Sequence, residues 1–395
     1  MKNINRRKFL SLSALAGAGA LVAPQLSTAA VASRPSSSQN EKKTIPTRIL
    51  GKTGLEIPIL SMGVMRADNP AVVRAAYNSG LTHFDTAHGY QNGKNEEMLG
   101  NFFKDKDRST FTVATKARLE PNSENFETEY ENMLDISLRR LQMDYVDIFY
   151  VHGPNDNETL TNPRMIKTLN KFKVAGKVKH IGFSTHANKP EQIDAAIEAG
   201  IYEVCLVSYN FTLEVLQELE EAMQRGVEAG MGFVAMKTMA GGVEDANGEK
   251  QVDGAACLRW AWQNPNLTTA IPGFTSFDLL ENCLEAAYRP EMNEDDVRYI
   301  AALGGCDLLY CQNCEKCVTD CSKSLPIPDI MRAYMYNFGY KHPSLSKDTL
   351  MELVLSGREC NNCVVCTVSC PQGFKVAEKI AAITPIMHVP NEYLT

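Results

Sequence analysis

Asn125–Leu141 and the run that follows it, Val146-Asp147-Ile148-Phe149-Tyr150-Val151-His152, form the unit whose reading decides the fold. In the first stretch Tyr130, Met133, Leu134, Leu138 and Leu141 recur at helical spacing, and the second is a short apolar strand. Outward from this pair, strand and helix patterns alternate from Arg48 to about Pro290. The candidate strands are Leu60–Val64, His83–Ala87, Phe111–Ala117, Val146–His152, His180–Ser184, Glu203–Tyr209, Gly232–Met236 and Thr268–Gly273. Strict alternation implies a parallel sheet, and eight units in roughly 240 residues match a closed barrel better than an open sheet. Before the first strand, Arg48-Ile49-Leu50, a Gly-bearing turn at Gly51-Lys52-Thr53-Gly54, and Leu55-Glu56-Ile57 read as a hairpin. No Gly-x-Gly-x-x-Gly follows the first strand, so a doubly wound dinucleotide fold gains no support. The fold class is α/β, a (β/α)8 TIM barrel over residues 47–290, with a further region at 291–395.

Composition narrows the function. The 395 residues are 44% hydrophobic and 22% charged, which excludes a disordered or collagen-like chain. A formal charge of −7 argues against nucleic acid or an anionic membrane as the main partner. At the N-terminus, Arg6-Arg7-Lys8-Phe9-Leu10 precedes an Ala- and Gly-rich apolar run, Leu12 to Ala23, too short to span a bilayer. Ala30-Val31-Ala32 offers a small-residue cleavage site. The stretch resembles a twin-arginine export signal over residues 1–32, which carries folded proteins outward. Its removal takes away four cations and no acid, followed by a Ser- and charge-rich linker at 33–46. A basic amphipathic start or an uncleaved anchor is the competing reading.

In a (β/α)8 barrel the chemistry lies at the C-terminal ends of the strands. Strand two ends in Asp85 with Tyr90 five residues on, strand three in Lys116, strand four in His152. A phenol is a poor proton donor unless its anion is stabilised, and a lysine ammonium would do that. An aspartate beside the lysine keeps it charged, and the histidine can orient a carbonyl. Together they would polarise a carbonyl and protonate its oxygen as hydride arrives at carbon.

Thr82-His83-Phe84-Asp85-Thr86-Ala87 with Tyr90 and Asn95-Glu96-Glu97-Met98-Leu99-Gly100 resembles the aldo-keto reductase signature. Ala114-Thr115-Lys116 and Tyr150-Val151-His152 are similar to its two further catalytic strands, so the resemblance runs from about Arg48 to Arg289. It implies Tyr90 as acid–base, Lys116 and Asp85 as its tuners, and His152 as the carbonyl-orienting residue. It also implies a nicotinamide cofactor, NAD or NADP, across the barrel mouth. Ser184 matches the serine that holds the carboxamide, Tyr209 ends strand six as in relatives, and Glu281-Asn282 resembles the adenine-binding pair. Leu206 departs from the pattern, standing where the family places a Gln. The basic residues that hold a 2′-phosphate are absent between Phe274 and Leu280, and Asp278 there would repel one, which points to NAD.

Of twelve cysteines, Cys205, Cys257, Cys283 and Cys306 are scattered and read as inert buried thiols. The other eight form Cys311-x2-Cys314-x2-Cys317-x3-Cys321 and Cys360-x2-Cys363-x2-Cys366-x3-Cys370-Pro371. In the two-cluster ferredoxin pattern the fourth cysteine serves the other cluster. One [4Fe–4S] cluster then takes Cys311, Cys314, Cys317 and Cys370, the other Cys360, Cys363, Cys366 and Cys321. Zinc prefers paired cysteines across a longer loop, and thiols two residues apart bridge poorly. The first set departs from the pattern in that Ser322, not a proline, follows Cys321. Between the sets, Ile330, Met331, Tyr334 and Phe338, then Leu350, Leu353 and Val354, recur at helical spacing. Residues 291–395 therefore resemble a mainly α-helical ferredoxin-like domain, and a subgroup of aldo-keto reductases carries such an extension.

The export signal and the clusters support each other. Clusters are assembled in the cytoplasm, and an unfolded route would expose eight thiols to oxidation. The expected location is periplasmic, with a cytoplasmic protein as the alternative. The leading function is carbonyl–alcohol interconversion on a small substrate, with clusters that are structural or serve a redox partner. The polar loops Gly153–Asn162 and Gly241–Val252 suit a hydroxylated substrate such as a sugar. The alternative is a barrel that has lost catalysis and only presents the ferredoxin-like module. No stable membrane anchor is expected.

Overall fold

The computed structural model describes residues 44–394, except 155, 242, 245–249, 252, 304–306, 354–359, 361–362, 364–365 and 372. The expected signal at 1–32, linker residues 33–43, Cys306 and Val354 lie outside the described residues. Eight parallel strands form one sheet in chain order. They are β1 (Met62–Gly63), β2 (His83–Asp85), β3 (Thr112–Ala117), β4 (Val146–His152), β5 (Val178–Thr185), β6 (Val204–Ser208), β7 (Gly232–Met236) and β8 (Leu267–Ala270). The sheet closes on itself. Leu60 bridges Ala270 in parallel, and the Ser61 and Gly63 amides donate to the Ala270 and Pro272 carbonyls at 2.9 and 3.0 Å.

Each strand is sandwiched between the barrel interior and a helix, so alternate residues face opposite ways. On β6, Val204 and Leu206 join Ala114, Ile148, Tyr150, Val234 and Ile271 inside, while Cys205 and Val207 face the helical layer. Gly182 is required by this packing, because a Cβ there would lie 2.5 Å from Cδ1 of Tyr150, whose ring fills the interior. The helix Phe126–Leu141 buries Tyr130, Leu134, Leu138 and Leu141, with Glu127 and Glu129 in its first turn and Arg139 and Arg140 in its last. Those charges complement the helix dipole. Tyr130 meets Phe149 of β4 edge-on, with ring centroids 5.6 Å apart.

The hairpin pairs Thr47–Ile49 with Glu56–Pro58 and delivers Leu50 and Ile57, both fully buried, into the barrel interior. The Lys52 amide donates to the Gly230 carbonyl at 2.8 Å, just before β7 begins. The hairpin therefore stoppers the N-terminal end, and only the other end is left for chemistry.

Beyond the barrel the chain is helical and has a second core. Helices Ile327–Tyr334, Pro343–Glu352 and Val376–Ile383 bring Ile327, Ile330, Met331, Leu350, Ile380 and Ile383 together with Cys317. Helix Glu294–Ala302 packs on barrel helix Gly254–Trp262 through a 3.0 Å Arg259–Asp296 ion pair. Asp307–Leu308 then pairs with Val243–Glu244 from the loop after β7. A π-helical turn, Met335–Gly339, next crosses back onto the barrel, burying Met335 and Tyr336 in the barrel's core. Gly339 and Gly241 make this approach possible, since a Cβ on Gly339 would lie 2.5 Å from the Gly241 carbonyl oxygen. Among the described residues no helix is long and apolar enough to cross a membrane.

Candidate active site

The four polar strand-end residues meet at the open end of the barrel. Lys116 Nζ donates to Asp85 Oδ1 at 2.5 Å and to the Thr86 carbonyl at 2.7 Å, and both side chains are nearly fully buried. The same ammonium lies 4.9 Å from the Tyr90 ring centroid. The Tyr90 and His152 rings are edge-to-face at 5.9 Å. Asp85 Oδ2 is buried with no hydrogen-bond partner among the described residues. A phenol beside an imidazole, over a buried ion pair, is an arrangement suited to a polar group that meets both.

The loop carrying Tyr90 is held from below. The Thr86 hydroxyl donates to Asn95 Oδ1 at 2.6 Å, and Asn95 Nδ2 donates to the Val64 carbonyl at 2.7 Å. Fully buried Glu96 accepts from the Thr115 hydroxyl at 2.7 Å and from Arg140 at 3.2 Å. Arg140 also donates to the His88 carbonyl at 2.9 Å. Gln91 and Asn92 are left-handed, with φ of 51° and 54°, which is costly for residues with a Cβ. That strain just after Tyr90 is tolerated because the Asn95–Glu96–Arg140 network fixes both flanks.

Burial pushes the Asp85 carboxyl up and the Lys116 ammonium down, and their mutual contact opposes both shifts. Burial also lifts the Tyr90 phenol well above its usual value, with the Asp85 and Tyr336 charges adding and Arg332 opposing. In the resting site burial outweighs any acidifying effect of Lys116 on this phenol. The ammonium hydrogen-bonds Asp85 and faces the Tyr90 ring, so burial decides and Tyr90 keeps its proton. Burial, reinforced by the Lys116, Arg118 and Arg332 cations, holds His152 well below its usual value and hence neutral.

The residues expected to hold a nicotinamide cofactor are scattered by comparison. Ser184 ends β5 at the rim, where its Oγ accepts from the Gly153 amide at 2.9 Å. Glu281 and Asn282 are exposed on helix Phe277–Tyr288, which Ser276 caps through the Leu279 amide, and Asp278 is exposed in its first turn. Tyr209 is a correction. It faces outward, 1% exposed, stacked on Trp260 at 5.1 Å and donating its hydroxyl to Glu220 at 2.6 Å. It cannot touch a ligand at the mouth. Ser208, one residue earlier, faces inward against the Tyr310 hydroxyl. Leu206 lies fully buried in the barrel interior.

Sequence reasoning missed the residues that close the mouth. Lys237, at the end of β7 with φ of 60°, lies over the Tyr336 and Tyr340 rings at 4.8 and 5.2 Å. Arg332 reaches from helix Ile327–Tyr334 toward Tyr90, His152 and His186. No local signal marks these residues, because they come from parts of the chain about 100 positions apart and meet only in the fold.

The motif cysteines gather in two groups. Cys311, Cys314, Cys317 and Cys370 lie within electrostatic reach of one another, as Cys360 does of Cys363, Cys366 and Cys321. Among the described residues no His, Cys, Asp or Glu set is spaced to hold a single metal ion. A four-iron cubane seats its thiolates at separate corners, farther apart than ligands on one ion, so the crossed grouping fits its donor requirement.

Residues 59–255 match the model of the aldo/keto reductase family. The chain belongs to that family. It is 33% identical over 159 residues to aldo-keto reductase yakc [NADP(+)] of Schizosaccharomyces pombe, covering 36% of this chain and 46% of that protein. It is 27% identical over 237 residues to D-threo-aldose 1-dehydrogenase of a Pseudomonas species, covering 51% of this chain and 71% of that one. Its fold matches the holo form of aldo-keto reductase AKR11C1 from Bacillus halodurans with a TM-score of 0.55 at 21% identity, over 66% of this chain and 96% of that one. The chain thus spans about half the length of the first of these curated relatives.

Proposed function

We propose that this aldo/keto reductase family member interconverts a small carbonyl compound and its alcohol with a nicotinamide cofactor. The observation that carries the reading is the meeting of Tyr90, His152 and the buried Lys116–Asp85 pair at the barrel end opposite the hairpin. Neutral His152 donates a hydrogen bond to the carbonyl oxygen and orients it toward Tyr90. Tyr90, protonated because it is buried, gives its proton to that oxygen in the reductive direction. Lys116 then stabilises the phenolate left behind. When bound, the nicotinamide supplies or accepts the hydride. Ser184, Glu281 and Asn282 would hold it, and Ser208 takes the inward place that Tyr209 does not.

Exposed Asp278 at the start of helix Phe277–Tyr288 favours NAD over NADP, although one relative is named for NADP(+). Dissociation constants for the two nucleotides decide this, and a clear NADP preference defeats it. The relative named as an aldose dehydrogenase supports a sugar-like substrate. The two cysteine groups support a pair of [4Fe–4S] clusters in a ferredoxin-like region, structural or serving a redox partner. The Arg6-Arg7 motif supports export in the folded state to the periplasm.

The test is anaerobic purification with iron, sulfide and bound nucleotide counted, followed by carbonyl reduction by wild type and Tyr90→Phe. A rate lower by about two to four orders of magnitude is expected for the variant. An unchanged rate, or no reduction by either protein, favours a non-catalytic barrel presenting an electron-transfer module.

A further inference from the structure

Where the C-terminal helix meets the barrel rim, a narrow cleft is lined by His186, Lys237, Tyr310, Asn313, Arg332 and Met335, together with Cys311 and Pro328. Its polar lining is rich in hydrogen-bond donors, and among the described residues no Asp or Glu contributes to it. Lys237 Nζ rests on two tyrosine faces and lies 3.5 Å from the Tyr336 hydroxyl. Aromatic faces orient a cation without cancelling its charge, and among the described residues no carboxylate pairs with Lys237. The Asn210 amide fixes the Lys237 backbone by donating to its carbonyl at 3.2 Å. Arg332 contacts Asp329 at 2.7 Å, which leaves further guanidinium N–H groups for another acceptor.

The cleft adjoins the catalytic pocket. Arg332 lies within electrostatic reach of Tyr90 and His152, and Lys237 of Lys116 and His186. Other charges nearby have partners: Lys116 has Asp85, while Asp329, Glu120 and Glu352 face Arg118. Lys189 is a further cation, within reach of Cys311 and Cys314. Cations gathered on one side of the reacting centre of an acidic protein call for an anion there.

We propose that this cleft, through Lys237 and Arg332, binds a carboxylate carried by the carbonyl substrate while the reacting carbonyl sits between Tyr90 and His152. The empty cleft, about 20 Å3, has room for about one water, so one carboxylate oxygen enters it while the rest of the group stays at its mouth. Substrates are then carbonyl acids, such as oxidised sugar acids or oxo acids. The assignment rests on the reductase reading and deepens it.

The experiment uses the holoprotein saturated with reduced nicotinamide nucleotide, so that the cofactor's own phosphates are already placed. Benzoate and inorganic phosphate are titrated calorimetrically, and kcat/KM is measured for 4-carboxybenzaldehyde and benzaldehyde. Benzoate should bind at least about tenfold more tightly than phosphate, and the carboxylated aldehyde should be preferred by a similar factor. Lys237→Met should erase that preference and weaken benzoate about tenfold, while Arg332→Lys, which keeps the charge, retains most of it. Failure of benzoate to bind, equal binding by Lys237→Met, or tighter phosphate binding overturns the assignment. Benzoate binding as stated with neither aldehyde reduced leaves the carboxylate cleft standing and overturns the reductase reading.

Discussion

In the barrel, Phe149, Tyr150 and Leu206 are fully buried between strands and helices, whereas in the C-terminal region Cys363 and Cys366 are exposed beside a small core. The barrel gains its order from apolar burial and a closed ladder of backbone hydrogen bonds. The C-terminal region draws on three short helices and a small core that includes Cys317, with Cys311, Cys321, Cys360 and Cys370 packed against it. The difference teaches that one region is ordered by extensive apolar packing, while the other has a small core and leaves two of its motif thiols exposed.

Cys317→Ser sets the regions apart most sharply. This buried thiol belongs to both the second core and the first cysteine group, so its loss should unfold the C-terminal region and lower bound iron while the barrel persists. Iron analysis with hydrogen exchange checks this, and unchanged protection of residues 316–352 would contradict it. Within the barrel, Lys116→Met leaves Asp85 as an unpaired buried charge and should cost about 3–5 kcal/mol in denaturant unfolding. At the seam, Met335→Ala should cost about 2–5 kcal/mol of the docking of one region on the other. Limited proteolysis near residue 339 would report it, and an unchanged cleavage rate would show that the seam is held elsewhere.

The smallest effect is acid sensitivity of the barrel. Burial works against the charge of Glu203, yet His180 at 2.9 Å and Lys173 at 2.5 Å hold its carboxyl down at about 2. A depressed acid stabilises the fold above its ordinary pKa near 4.5, and that contribution is lost as pH falls toward 2. Glu203→Gln should flatten the loss of barrel stability across that window, as read by thermal unfolding at stepped pH.

The barrel was legible because its strands are short apolar runs between amphipathic helices. Val146–His152 and Gly232–Met236 coincide with the observed strands, and the others shift by a few residues where pairing frays. Asp85, Tyr90, Lys116 and His152 could be read from strand ends because a closed barrel makes those ends converge. Tyr209 misled because it continues β6 by one residue, three after Leu206. An odd offset points the two side chains to opposite faces, so an inward residue 206 already excluded an inward residue 209. Lys237 and Arg332 were illegible for another reason. Their meeting depends on Gly241 and Gly339 letting the C-terminal turn close on the rim, a tertiary contact no local pattern carries.

The pH dependence of kcat/KM for carbonyl reduction, in wild type and Tyr90→Phe, tests the central claim most directly. The account predicts a level profile for wild type through neutral pH and a fall only well above the ordinary phenol range, with that fall absent from Tyr90→Phe. A fall near neutral pH, or one that survives the substitution, would mean that some other group delivers the proton.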